Sequence, residues 1–202
     1  VQYDGRDKGH NEPEYLFLQV FLQALGHDAS FSPSGKYIIA PYDEYSIIIT
    51  DIENIENIKI DNDIFDGHTD YIRSAAFSPD GKYIVSTSGD GSIKLWNVDS
   101  GKEMKTIYYG NANSVGLASF SPDGKYIVST IKDGLIQLTK LWDVKSCKEI
   151  KTFERYSSRN GHTPVSFSPD GKYIVLTSGD DTIILWEVDR NRKIKTFKIY
   201  SD

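Results

Sequence analysis

A nine-residue string, Phe77-Ser78-Pro79-Asp80-Gly81-Lys82-Tyr83-Ile84-Val85, returns letter for letter at Phe120 to Val128 and at Phe167 to Val175. A near copy begins at Phe31, with Ser34 for the Asp and Ile39 for the Val. The four starting points lie 46, 43 and 47 residues apart. Self-similarity at such a period means one supersecondary unit stacked on copies of itself.

The content of the unit says what is repeated. Phe77 closes a strand, Pro79 presets φ, Asp80 can bond the local backbone and Gly81 tolerates φ > 0. Tyr83 to Thr87 is rich in aromatic and β-branched residues and predicts the next strand. Gly89-Asp90-Gly91 is a tight hairpin signal. Ser92 to Val98 alternates as a third strand, Asp99 to Lys102 turns, and Glu103 to Tyr108 makes a fourth. The third unit repeats the plan with Leu141 to Val144 and Lys148 to Phe153, the fourth with Leu185 to Val188 and Lys193 to Tyr200. Four short strands with no helix between units predict an all-β chain of antiparallel meanders, whose faces must pack against one another.

Before the first unit, residues 1–15 are polar and read as a lead-in. Leu16 to Gln23 fits helix or strand by period; the following Gly26-His27 favours a strand. Segment boundaries follow as 1–23, 24–66, 67–109, 110–160 and 161–202.

The array resembles the WD40 repeat of β-propeller proteins over about residues 24 to 200. The likeness rests on the Gly-His pair, the Phe-Ser-Pro-Asp-Gly turn, the hairpin Asp and the Trp-Asp-like pair ending the third strand. It implies a hydrogen-bonded tetrad of His, Ser or Thr, Asp and Trp inside each blade. The second unit carries all four, His68, Ser86, Asp90 and Trp96. The third keeps Ser129, Asp133 and Trp142, has Asn111 for His, and spans 9 positions from Asp133 to Trp142 against 6 from Asp90 to Trp96. The fourth keeps His162, Asp180 and Trp186 with Leu176 in the Ser position. The first keeps His27 but has Ala40, Glu44 and Thr50 for Ser, Asp and Trp. Short Gly-His-to-Phe spacing in the first and fourth units predicts a distorted first strand in each.

Four blades are fewer than the family's usual ring, so the expectation is an incomplete, open propeller. Its exposed blade faces leave self-association open. The chain begins at Val1 and reads as a piece of a larger propeller protein, or else as a half ring that pairs.

The residues argue against catalysis. His68, Ser86 and Asp90 are hydrolase-triad types, yet the same types recur in degraded form in other units, and no nucleophile elbow is present. The four histidines, each following a glycine, lie in separate units and lack zinc-ligand spacing. The stretch from Asp61 resembles a calcium loop only superficially, since Phe65 and Ile72 stand where oxygen ligands are needed. No phosphate-binding Gly-rich loop opens a helix. No metal or cofactor is therefore expected.

A net charge of −6 disfavours a dedicated nucleic-acid or anionic-membrane binder. Cys147, the single cysteine, reads as an exposed hairpin thiol and fits a reducing compartment, so the cytoplasm is expected. What the resemblance implies is a non-catalytic scaffold for protein partners, with contact residues on one rim. Matching positions are Tyr71, Arg73, Asp43 and Lys132. The alternative is a regulatory or sensor propeller fused to a catalytic domain outside this chain.

Overall fold

A computed structural model of the chain describes residues 30–41, 45–52, 64–108, 115–133, 136–156, 165–177 and 182–198. They form sixteen strands. The first sheet holds β1 (Ser30–Phe31), β2 (Tyr37–Pro41), β3 (Ser46–Asp51) and β4 (Ile64–Asp66). The second holds β5 (Ile72–Phe77), β6 (Tyr83–Ser88), β7 (Ser92–Asn97) and β8 (Glu103–Tyr108). The third holds β9 (Val115–Phe120), β10 (Tyr126–Asp133), β11 (Ile136–Asp143) and β12 (Lys148–Tyr156). The fourth holds β13 (Val165–Phe167), β14 (Tyr173–Thr177), β15 (Thr182–Glu187) and β16 (Arg192–Lys198). Each is a four-stranded meander whose sequence neighbours pair antiparallel, and no sheet closes on itself.

The repeated string works as one wiring diagram. Ser78 Oγ accepts from Tyr83 N at 2.9 Å and donates to Asp80 Oδ1 at 2.6 Å, while Asp80 Oδ1 accepts from Lys82 N at 3.1 Å. The same three distances recur at Ser121 and Asp123 and at Ser168 and Asp170. In the first copy Ser34 takes the acid's place, and Lys36 N reaches its Oγ only at 3.3 Å. A hydroxyl substitutes for a carboxylate there at the cost of a charge-assisted bond.

Neighbouring sheets pack face to face. Ile39, Ile47, Ile49 and Phe65 of the first meet Ile72, Ala75, Ile84 and Trp96 of the second. Val85, Ile93 and Leu95 then meet Val115, Ala118, Ile127 and Trp142. Leu141 and Phe153 meet Ile174, Leu176 and Trp186. Each trailing face thus receives the leading face of the next sheet, and each buried aliphatic side chain contributes about 1.5–3 kcal/mol. Between the second and third sheets a hydroxyl chain adds register. Ala118 N donates to Ser74 Oγ, which bonds Thr87 Oγ1 at 2.9 Å, and Thr87 donates to Gly116 O at 2.6 Å.

The structure departs from the sequence reading in places. Val98 lies in a turn because β7 stops at Asn97, and β12 runs on to Tyr156. The extra residues of the third unit lengthen its hairpin, so that Asp133 pairs with Ile136 in the ladder. Cys147 is half-buried and packs on the cluster between the second and third sheets, at φ 51. Its thiol donates to Val144 O at 3.4 Å, and burial pushes its pKa up. The exposed thiol expected from its turn position is corrected: a left-handed turn residue can still aim its Cβ at the neighbouring sheet. β1 and β13 are described over two and three residues, against six in β5 and β9. The segments around Leu16 to Gln23, His27 and Glu44 lie outside the described residues.

Candidate functional site

Two places gather polar side chains: the interior of the second sheet and the rim where β5 begins. The interior is set by register. Ile84 faces Trp96 across β6 and β7, and Ser86 faces Lys94, so Ser86 and Trp96 share one face of the sheet. Trp96 Nε1 donates to Ser86 Oγ at 2.8 Å. That hydroxyl is left to donate to His68 Nε2 at 2.8 Å, and His68 Nδ1 donates to Asp90 Oδ2 at 2.9 Å. Asp90 also accepts from Thr69 N at 3.0 Å, Ser92 N at 2.8 Å and Ser92 Oγ at 2.6 Å. Every donor in the chain has an acceptor, the condition under which a buried polar network rigidifies a fold.

The electrostatics follow. Burial pushes His68 below the usual imidazole range, and Asp90 opposes this only in part. Burial would raise Asp90, but the bonds from Ser92, Thr69 and His68 together bring it down to about 2. At neutral pH the pair is a neutral imidazole hydrogen-bonded to a carboxylate. The His68 side chain is 0% exposed, and both ring nitrogens are occupied. It has no lone pair to offer a substrate.

Gly67 shows why a glycine precedes the histidine. A Cβ there would come within 3.2 Å of Trp96 Cη2, and its φ of +153 is one that side chains avoid.

Elsewhere the tetrad thins. Trp142 Nε1 donates to Ser129 Oγ at 3.0 Å. Asp133 and Lys132 end β10, and their side chains lie outside what is described. In the fourth sheet Trp186 Nε1 is buried with no hydrogen-bond acceptor among the described residues, Leu176 occupying the Ser position. His162, Asp180, Asn111 and Asp43 fall outside the described residues.

A second constellation, unforeseen in the sequence reading, surrounds the tryptophans. Lys94, 4% exposed, reaches Glu103 Oε2 at 2.5 Å and Thr106 Oγ1 at 2.9 Å, over the Trp96 ring. Over Trp142, Lys140 likewise reaches Glu149 Oε2 at 2.7 Å, and Thr152 donates to the other oxygen of that carboxylate. The signal was present: lysine and glutamate recur at one spacing in both units. In β8 and β12 a glutamate of strand four thus turns back to neutralise a lysine of strand three.

At the rim, Tyr71 is 40% exposed. Arg73 stacks on its ring at 4.9 Å and donates from Nη2 to its hydroxyl at 2.8 Å. The backbone beneath is pinned: Gly89 N donates to Tyr71 O at 2.9 Å and Ser88 Oγ to Asp70 O at 2.7 Å. A Cβ at Gly89 would lie 2.9 Å from Asp70 Oδ2 and 3.1 Å from Tyr71 Cε1. Only glycine lets these side chains lie across the hairpin. Among the described residues no group of three or more His, Cys, Asp or Glu could hold a metal ion. Nor is any helix there long and apolar enough to cross a membrane.

Three segments, 61–97, 101–143 and 149–187, match the family model described as WD domain, G-beta repeat, and together they make up more than half of the chain. The chain belongs to the WD40 family. No curated protein matches it. Each matched WD40 segment is offset from a sheet: 61–97 begins with β4, the outer strand of the first sheet, and ends with β7 of the second. The sequence repeat therefore straddles two blades and ties each to the one before. WD40 repeats generally serve as protein-interaction scaffolds and are typically non-catalytic.

Proposed function

We propose that this chain is a non-catalytic WD40 scaffold that binds protein partners through the Tyr71–Arg73 rim, within a larger propeller protein. The observation that carries it is the preorganised Tyr71–Arg73 stack above a pinned hairpin. Tyrosine and arginine lose little rotamer freedom when already held, which is why such pairs make effective anchors. Asp43 and Lys132 are proposed as further contacts on the same rim. The saturated His68 network supports the non-catalytic part, since its groups bond each other.

The exposed trailing face of the fourth sheet supports the larger propeller. Ile39, Val85 and Val128 are 0%, 0% and 1% exposed on the first three trailing faces; their counterpart Val175 is 38% exposed. The same face supports self-association at high concentration as a second reading. A half-buried, unpaired Cys147 suits a reducing compartment, and the proposed setting is the cytoplasm.

The test is affinity capture with the full-length protein and its Tyr71→Ala/Arg73→Ala variant, compared by quantitative mass spectrometry. Loss of at least one specific protein from the variant supports the reading. Identical captured sets would end it.

A further inference from the structure

β16 differs from the other outer strands of the array. Its seven residues are all exposed, and it pairs only with β15 among the described strands. Four of the seven are cationic: Arg192, Lys193, Lys195 and Lys198. Arg192 Nε is held by Glu187 Oε2 at 2.6 Å. Lys193, Lys195 and Lys198 have no carboxylate within ion-pair distance among the described residues.

The surplus has a traceable origin. Opposite their tryptophans, β8 and β12 carry Glu103 and Glu149, which take up Lys94 and Lys140. β16 has Lys193 at that place, opposite Trp186, and β15 has Ile184 where the buried lysine would stand. The acid is gone, a lysine stands in its place, and the buried lysine it would have neutralised is an isoleucine.

Apolar surface accompanies the charge. Ile194 is 43% and Phe197 42% exposed, and Lys195 lies over the Phe197 ring at 4.9 Å. By register Lys195 and Phe197 share the face of Leu185 and Ile183, while Lys193, Thr196 and Lys198 share the other. In a larger propeller the face of Lys195 and Phe197 receives the next blade, so an extended strand beside β16 would find its lysines in Lys193 and Lys198, exposed on the opposite face.

We propose that β16 is a docking edge for an acidic, extended peptide segment of another protein, which adds to the fourth sheet as a fifth strand. Main-chain bonds to the open edge would supply affinity, and alternate side chains the selection. Charge complementarity picks the occupant. Unpaired lysines on an edge repel ordinary strands, and a second copy of this chain would set Lys against Lys, which is unfavourable in directly opposed pairs. A strand bearing carboxylates removes the repulsion that excludes the others, so the same residues reject and select. Nucleic acid is disfavoured by the net charge of −6 on the chain that bears the strand. The site shares no residue with the Tyr71 rim.

The experiment uses the full-length protein and a short fluorescein-labelled peptide of alternating glutamate and valine, followed by anisotropy. Parallel probes are its glutamine–valine analogue, an oligothymidylate and phosphatidylserine vesicles. The acidic peptide is expected to bind at least about tenfold more tightly than the glutamine analogue and to slow amide exchange at 192–198. Binding falls about tenfold in Lys193→Glu/Lys198→Glu, which in turn gains affinity for a lysine–valine peptide. Tyr71→Ala/Arg73→Ala leaves it unchanged, so failure here and failure at the rim are told apart. Equal binding of the glutamine analogue, protection away from 192–198, or tighter binding of oligothymidylate or vesicles through the same lysines would each overturn the proposal.

Discussion

In the second sheet Trp96 is 1% exposed, its indole N–H reaches Ser86, and Phe65 of the preceding sheet meets it edge-on at 5.8 Å and 84°. In the fourth sheet Trp186 meets Phe153 almost identically, at 5.0 Å and 84°, yet its N–H has no acceptor among the described residues. Beyond the fourth sheet, Phe197 occupies the place of Phe65 and Phe153 and receives no tryptophan. The apolar contacts therefore tolerate loss of the polar network, because ring packing needs only shape and area while the network needs every member. A blade can erode its hydrogen bonds and keep its seat as long as apolar side chains of its neighbour still pack on it, an aromatic ring for Trp186 and Ile107 in the Trp142 cluster.

The largest test of this contrast lies at the phenylalanines. Phe65→Ala is expected to cost about 3–4 kcal/mol, as for a fully buried aromatic, whereas Phe197→Ala should cost less than about 0.5 kcal/mol. Urea titration of both variants checks it. Comparable losses would mean that the trailing face of the fourth sheet is already covered.

At the tryptophans, Trp96→Phe should destabilise by about 1–3 kcal/mol, since it leaves the Ser86 hydroxyl buried with a partner lost. Trp186→Phe should fall below about 1 kcal/mol, because the atom it removes is already unsatisfied. Hydrogen exchange over residues 83–97 and 173–187 separates the two sheets. Equal effects of the two changes would dismiss the hydrogen-bond network as the source of the difference.

The smallest effect is in pH. His68 and Asp90 both have folded pKa values below their unfolded ones, so on acidification the unfolded chain takes up protons first. The His68 contribution is complete above about pH 6.5 and declines below it. That of Asp90 is complete above about pH 4 and is lost as pH falls toward its folded value. Thermal midpoints between pH 7 and 5 should therefore slope downward in the parent and flatten in His68→Gln. An unchanged slope would mean that His68 is not the neutral, buried ring found here.

Much of this was legible in the letters. The Phe-Ser-Pro-Asp-Gly turn is local chemistry, so four copies of the string gave four copies of one hydrogen-bond pattern. The sequence predicts β8 at its observed ends, Glu103 and Tyr108, and the family resemblance groups Trp96, Ser86, His68 and Asp90. The Lys94–Glu103–Thr106 stack was missed because lysine reads as solvent-seeking until a neighbouring sheet covers it. Counting along the chain cannot tell a lengthened hairpin from a displaced one, so the ladder pairing of Asp133 with Ile136 is not legible in the sequence.

Strand positions, turns and their period were fixed by the sequence itself, since each depends on contacts a few residues apart. Which faces are dry was decided only by the tertiary structure. Val85 and Val175 are the same residue in the same string, and one is buried and the other exposed. Burial belongs to the neighbour that covers a side chain, and no local pattern carries that information. For the same reason Cys147 turned out to be packing material, and the residues of β16 exposed.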